Sequence, residues 1–250
     1  MKRVYVAHPD YRLLFPGCGR FPVGKFAALW ERLTAEGLVE PQAVQVPEPA
    51  SAAALAQAHA VSYVRAAWSG QLPKAALRRL GFPWSPELLR RARAAVGGTL
   101  LAARLALEHG VACNLAGGSH HADAQGPSGF CLFNDVAVAI RVLQAEGRIR
   151  RALVVDLDVH QGDGTARIFA CDPEVWTFSM HCRTNFPLHK AQSRLDVAFE
   201  PQTGDRDYLA VLRRLLPGVI AAARPELAFY NAGVDCHRDD RLGQLALTAQ

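Results

Sequence analysis

The sequence predicts an α/β fold: one domain with a central, mainly parallel sheet and helices on both faces, a three-layer α/β/α arrangement. Three observations carry this reading. Beyond Val111, apolar runs of strand length alternate with helical stretches, the texture of parallel strands joined by helices. The chain has 250 residues, 50% hydrophobic and 20% charged, enough to bury one large core. No internal repeat or low-complexity linker divides it, so a single domain over residues 1–250 is expected.

The opening Arg3-Val4-Tyr5-Val6-Ala7 reads as a strand. Phe21-Pro22 leads into a helix over Gly24–Glu36, with Phe26, Leu29, Trp30 and Leu33 at helical spacing. Prolines 41, 47 and 49 mark a loop. From Ser51 to Gly110 the Ala-rich runs are helical, with Pro73, Pro83 and Pro86 as breaks or first-turn residues and the longest helix over Glu87–His109. Gly97-Gly98 inside it provides for close packing or a kink. Strands follow at Val111–Ala116, Ala152–Leu157, Val175–Met180 and Leu227–Tyr230, with helices at Asn134–Glu146 and Asp207–Ala223. The strands run into polar residues, and ligands of open parallel sheets bind beyond the carboxyl ends of strands, so these segments are expected to converge on one site.

Composition narrows the function classes. No stretch approaches the roughly 18 consecutive apolar residues of a membrane span. Six cysteines at positions 18, 113, 131, 171, 182 and 236 form no C-x-x-C pair, and no signal-peptide pattern follows Met1, so free thiols in a cytoplasmic protein are expected. The formal charge of +5 comes mostly from single arginines in helical patterns, which reads as solvated helix faces and argues against a nucleic-acid partner.

The chemistry concentrates in three segments. In Val154-Val155-Asp156-Leu157-Asp158-Val159-His160-Gln161-Gly162-Asp163-Gly164 the residues Asp156, Asp158 and His160 are spaced by two, which on extended backbone points them to one side. Two carboxylates and an imidazole at a buried strand end are costly to desolvate unless a divalent metal compensates them; the plainer alternative is a solvated strand end with a helix N-cap at Asp163. Tyr230-Asn231-Ala232-Gly233-Val234-Asp235 delivers another acid, so Asp158, His160 and Asp235 could form a three-ligand set that leaves a position open for water and substrate, although Asp235 alone could equally cap a turn. Gly117-Gly118-Ser119-His120-His121 places two imidazoles on a loop that glycines allow to approach a site closely. Adjacent loop histidines are otherwise surface residues or an accidental metal chelate; here Asp156 and Asp163 remain to hold one imidazole each.

The strings GGSHHA, GFCLFNDVAVA, VVDLDVHQGDGTARIF, FSMH and YNAGVDCHRDDRLGQLALT resemble the histone deacetylase family, and the HQGDGTA form is most similar to its class IV and bacterial acetoin-utilisation-type branch. The resemblance implies an arginase-deacetylase fold with one zinc ion held by Asp158, His160 and Asp235. It implies His121 as general base and His120 as electrostatic or acid partner, with Asp163 orienting His121 and Asp156 orienting His120. Gly129 and Phe130, and opposite them Phe186 and Gly233, are implied to line an acyl-lysine tunnel; for Phe186 a plain core role is an equal reading. A structural potassium ion is implied on backbone carbonyls of Asp156, Asp158, His160, Ser179 and Met180. The implied substrate is an acylated lysine in a peptide or protein, or an acetylated small amine.

The family pattern also includes a tyrosine in a Gly-Gly-Tyr segment near the C-terminus, and no such segment occurs here. The expectation is therefore a zinc-dependent deacylase that lacks the family's C-terminal segment. Loss of one preorganised oxyanion donor typically costs about 100- to 1000-fold in turnover, which makes an impaired, binding-only relative the alternative. A ureohydrolase with two manganese ions is the remoter one, since the ligand pattern describes one metal.

Overall fold

The computed structural model describes residues 4–16, 21–40 and 43–249. The chain divides after Glu146 into two compact units.

In the first unit, strand β1 (Val4–Val6) pairs in parallel with β2 (Ala112–Asn114). A short 3-10 turn at Pro9–Arg12 and helices α1 (Lys25–Ala35), α2 (Ala52–Leu55), α3 (Val61–Trp68), α4 (Lys74–Leu80), α5 (Pro86–His109) and α6 (Asp135–Ala145) complete it. The loop over residues 43–49 holds only an isolated bridge between Gln45 and Val6, and Pro41 and Gln42 lie outside the described residues, as does Arg3 of the expected first strand.

The central helix α5 begins where local chemistry places it. Ser85 accepts a hydrogen bond from the Leu88 amide at 3.1 Å, Pro86 sits in the first turn, Glu87 adds an acid there, and Gly110 ends the helix at a φ of 88°. Residues Ala94 to Leu100 are all buried, and the helix runs unbroken through Gly97-Gly98. Close packing is the reason for the pair: a Cβ on Gly97 would lie 2.0 Å from the Glu48 carbonyl oxygen, and one on Gly98 would lie 1.9 Å from the Tyr11 hydroxyl. Helix α6 is capped by Asn134, whose side chain accepts from the Ala137 amide at 3.0 Å.

The second unit is a four-stranded parallel sheet in the order β5 (Leu195–Phe199), β4 (Val175–Cys182), β3 (Ala152–Asp156), β6 (Leu227–Asn231), with helices α7 (Asp163–Ile168) and α8 (Asp205–Ala223). Every ladder among the described strands is parallel. Strand β3 is buried throughout, as a central parallel strand must be, which explains its continuous apolar run. Its neighbours are in register, so that Asp156 stands opposite both Ser179 and Asn231. A core of Leu153, Val159, Phe178, Met180, Phe199, Tyr208 and Leu245 lies around it.

The structure adds two elements to the expected order. Strand β5 has no apolar run because it is an edge strand paired only to β4. Helix α7 is short and opens between two glycines, with Gly162 at the cap position and Asp163 as its first residue rather than its cap. The described cysteines 113, 131, 171, 182 and 236 form no disulfide, and no described helix is long and apolar enough to cross a membrane.

Two outcomes follow from this packing. Replacing Gly97 by Ala should stabilise by about 1 kcal/mol on helix propensity alone. The Glu48 carbonyl is rigid backbone, so overpacking should dominate and Gly97→Ala should instead lose about 1–3 kcal/mol in denaturant unfolding. Buried His59 has Nδ1 2.8 Å from the Asp123 carbonyl, and its Nε2 accepts from the Asn134 amide at 3.0 Å. Burial lowers its pKa to about 4, outweighing the raising effect of Asp123. The unfolded chain binds this proton near pH 6.5 and the folded chain does not, so the contribution is present above pH 6.5 and lost as pH falls towards 4. Unfolding measured over that window should lose roughly 3 kcal/mol through this group, and His59→Gln should flatten the slope.

Candidate functional site

The sheet of the second unit ends in a cluster of carboxylates. Strand β3 stops at Asp156, and the backbone bends beyond it instead of continuing extended. The expectation that spacing by two on a strand aligns Asp156, Asp158 and His160 is thereby corrected: a turn does the gathering. Buried Asp156, the last residue of β3, anchors that turn, accepting from the Asp158 amide at 3.2 Å and from Asn231 Nδ2 at 3.3 Å. Asp158 in turn accepts from the His160 amide at 2.8 Å.

Asp235 arrives from the end of β6 and accepts from the Val159 amide at 3.1 Å. Gly233 permits this approach, because a Cβ there would lie 2.5 Å from Asp158 Cα and 2.6 Å from its Oδ2. Gly243 does the same on the far side, where a Cβ would lie 1.8 Å from the Asp235 carbonyl oxygen. His160 Nδ1 stands 3.0 Å from Asp158 Oδ1 and 3.2 Å from Asp235 Oδ2.

One ligand atom from each of Asp158, His160 and Asp235 lies within 4.8 Å of the others, and all three side chains are partly buried. Among the described residues this is the one group of three such donors. Burial alone would lower the His160 pKa, but the hydrogen bonds and charges of Asp158 and Asp235 outweigh it and push it up to about 9. The cluster therefore favours positive charge at its centre. Two oxygens and one nitrogen converging in this way form a donor set that suits a divalent zinc ion.

Buried Asp163 pairs with Arg167 one turn along α7. Sequence reasoning passed over Gln161, which is buried and clasps the segment leading to β5. Its Nε2 donates to the Ala191 carbonyl at 2.9 Å and to Asp196 at 2.8 Å, and its Oε1 accepts from the Ala191 amide at 2.7 Å. Phe186 is 41% exposed beside Leu188 at 87%, which removes the plain core reading for Phe186. Buried Asn185 ties this loop to the Leu242 carbonyl at 2.7 Å and to the Gln244 amide at 3.1 Å.

In the first unit, His120 and His121 are both buried, with their Nε2 atoms 3.1 Å apart and ring centroids separated by 4.1 Å. They follow Gly117 and Gly118, which take φ values of 94° and 74° that side chains rarely adopt. The surface-loop reading of the pair is thus excluded by burial. Gly129 and Phe130 also have positive φ, and their amides donate to the carbonyls of Arg79 and Leu80 at 3.0 and 2.9 Å. The half-buried Phe130 ring stacks 4.9 Å from Phe82 and 5.6 Å from Phe21, so it belongs to an aromatic cluster.

Comparison with known proteins bears on this arrangement. Residues 20–250 match the histone deacetylase domain. The chain is 49% identical over 243 residues to an uncharacterized protein of Picosynechococcus sp., covering 97% of this chain and 81% of that one. It is 31% identical over 251 residues to Histone deacetylase 2 of Arabidopsis thaliana, covering 96% of this chain but 65% of the plant protein's length. Among solved structures, an HDAC homolog complexed with SAHA superposes with a TM-score of 0.83 at 26% identity, covering 99% of this chain and 73% of that one. The parallel α/β architecture and the domain match together show that this chain belongs to the histone deacetylase family, with its arginase-deacetylase fold.

Proposed function

We propose that residues 1–250 act as one deacetylase-like domain, a zinc-dependent amide hydrolase that removes acetyl or other acyl groups from lysine side chains or small amines in the cytoplasm. The observation that carries this reading is the convergence of Asp158, His160 and Asp235 in a chain of this family. A zinc ion held by those three residues supplies Lewis acidity toward the substrate carbonyl.

The chain's own residues supply the proton chemistry. His121 accepts a proton from water as its oxygen bonds to the acyl carbon. The carbon–nitrogen bond then breaks, a histidine returns that proton to the departing amine, and the acyl group leaves as a carboxylic acid that gives up its remaining proton to solvent. Two imidazoles 3.1 Å apart suit this division, because a proton on one raises the cost of a proton on the other. Asp163 and Asp156 are assigned as the carboxylates that orient His121 and His120. Gly129, Phe130, Phe186 and Gly233 are assigned to the acyl channel. The exposed Phe186 supports an apolar rim there. A structural potassium ion on carbonyls of Asp156, Asp158, His160, Ser179 and Met180 belongs to the same reading; the facing register of Asp156 and Ser179 suits it.

Release of free amine from a fluorogenic acetyl-lysine peptide by zinc-loaded protein tests the proposal. His121→Ala should lower turnover by about 100- to 10,000-fold with zinc content unchanged, as expected for a lost general base. Asp158→Ala should abolish turnover together with zinc binding. No amine release by wild type carrying one zinc per chain would contradict hydrolysis and leave an acyl-binding protein.

A further inference from the structure

We infer that Asp135 is a positioning residue for the histidine pair: its buried carboxylate, with Asn134 beside it, fixes the backbone on both sides of His120 and His121. The inference rests on the proposed role of those histidines.

Asp135 is 1% exposed and accepts three hydrogen bonds. Its Oδ1 accepts from the Ser119 amide at 2.7 Å, and its Oδ2 accepts from the Gly118 amide at 3.1 Å and from the Thr99 hydroxyl at 2.5 Å. Gly117 is shaped around that carboxylate, since a Cβ there would lie 2.4 Å from Asp135 Oδ2 and 2.8 Å from Thr99 Oγ1. The fixed Gly118 then passes its position to the pair, because its carbonyl accepts from the His120 amide at 2.9 Å. Downstream, Asn134 Nδ2 donates to the Ala122 carbonyl at 3.1 Å and to the His120 carbonyl at 3.5 Å. Two consecutive residues at the start of α6 thus hold the amides before the histidines and the carbonyls at and after them.

The carboxylate is the end of a directed chain of donors. The Tyr11 hydroxyl donates to Asn114 Oδ1 at 2.9 Å, Asn114 Nδ2 donates to Thr99 Oγ1 at 3.0 Å, and Thr99 donates to Asp135. Each donor polarises the next toward the charge, which strengthens the whole. A simple helix-dipole role for an acid in the first turn of α6 would need neither the amides of Gly118 and Ser119 nor burial. Burial pushes the Asp135 carboxyl up, and the bonds from Thr99, Ser119 and Gly118 oppose that.

Asp135→Asn tests this, because an amide has one acceptor atom and turns its NH2 toward either the Ser119 or the Gly118 amide. Three properties are read: hydrogen–deuterium exchange of residues 117–121, zinc content, and kcat and KM on the acetyl-lysine peptide. The expected result is faster exchange at 117–121, unchanged zinc, kcat lower by about 10- to 100-fold and KM nearly unchanged. Thr99→Val should accelerate the same exchange and Thr99→Ser should restore it, a pair that decides the matter if Asp135→Asn does not fold. Unchanged exchange in folded Asp135→Asn or in Thr99→Val, or an unchanged kcat in Asp135→Asn, overturns the inference. Absence of turnover in wild type overturns the deacylase reading instead, and the exchange data alone then decide the role of Asp135.

Discussion

Asp158 and Asp235 carry like charges, and holding both within about 3 Å of one imidazole nitrogen is unfavourable unless positive charge lies among them. The second unit is organised around meeting that condition. Strands β3 and β6 are adjacent and in register, so their ends deliver Asp158 and Asp235 to one place. The turn after β3 is tied by Asp156 to the Asp158 amide and by Asp158 to the His160 amide, and two glycines remove the side chains that would keep the segments apart. Local backbone chemistry therefore maintains two carboxylates around one imidazole nitrogen, an arrangement whose charge the proposed zinc would balance.

The first unit solves a related problem with hydrogen bonds. Burying two imidazoles on a loop that turns through left-handed glycines leaves amides and carbonyls that must be paired. Asp135 and Asn134 pair them from the start of one helix, and His59, kept neutral by burial, accepts the Asn134 amide. The residues that carry the proposed chemistry are thus held by neighbours to which that chemistry assigns no step, which is how catalytic geometry is kept within the tolerance that catalysis requires.

Much of this was legible in the sequence. Ser85-Pro86-Glu87 marks the start of α5 with local chemistry, and buried parallel strands betray themselves as apolar runs, so the main helices and strands fell where expected. Strand β5 did not, because Leu195-Asp196-Val197-Ala198-Phe199 buries only its final residue and shows no apolar run. The cluster of Asp158, His160 and Asp235 could be anticipated from residue type and position after strands, but the turn that gathers it could not, since it depends on hydrogen bonds to Asp156 rather than on spacing. Asn134 and Asp135 were hidden for a different reason. Asn followed by Asp before an apolar helix is an ordinary helix start, and the second use of both side chains depends on a loop 12 to 17 residues away in sequence.

X-ray absorption at the zinc edge of metal-loaded protein tests the central claim most directly. The account predicts one zinc per chain, with one imidazole nitrogen and oxygen donors at about 2.0–2.2 Å and no sulfur. A sulfur shell near about 2.3 Å, or a second metal at roughly 3.5–4 Å, would contradict it.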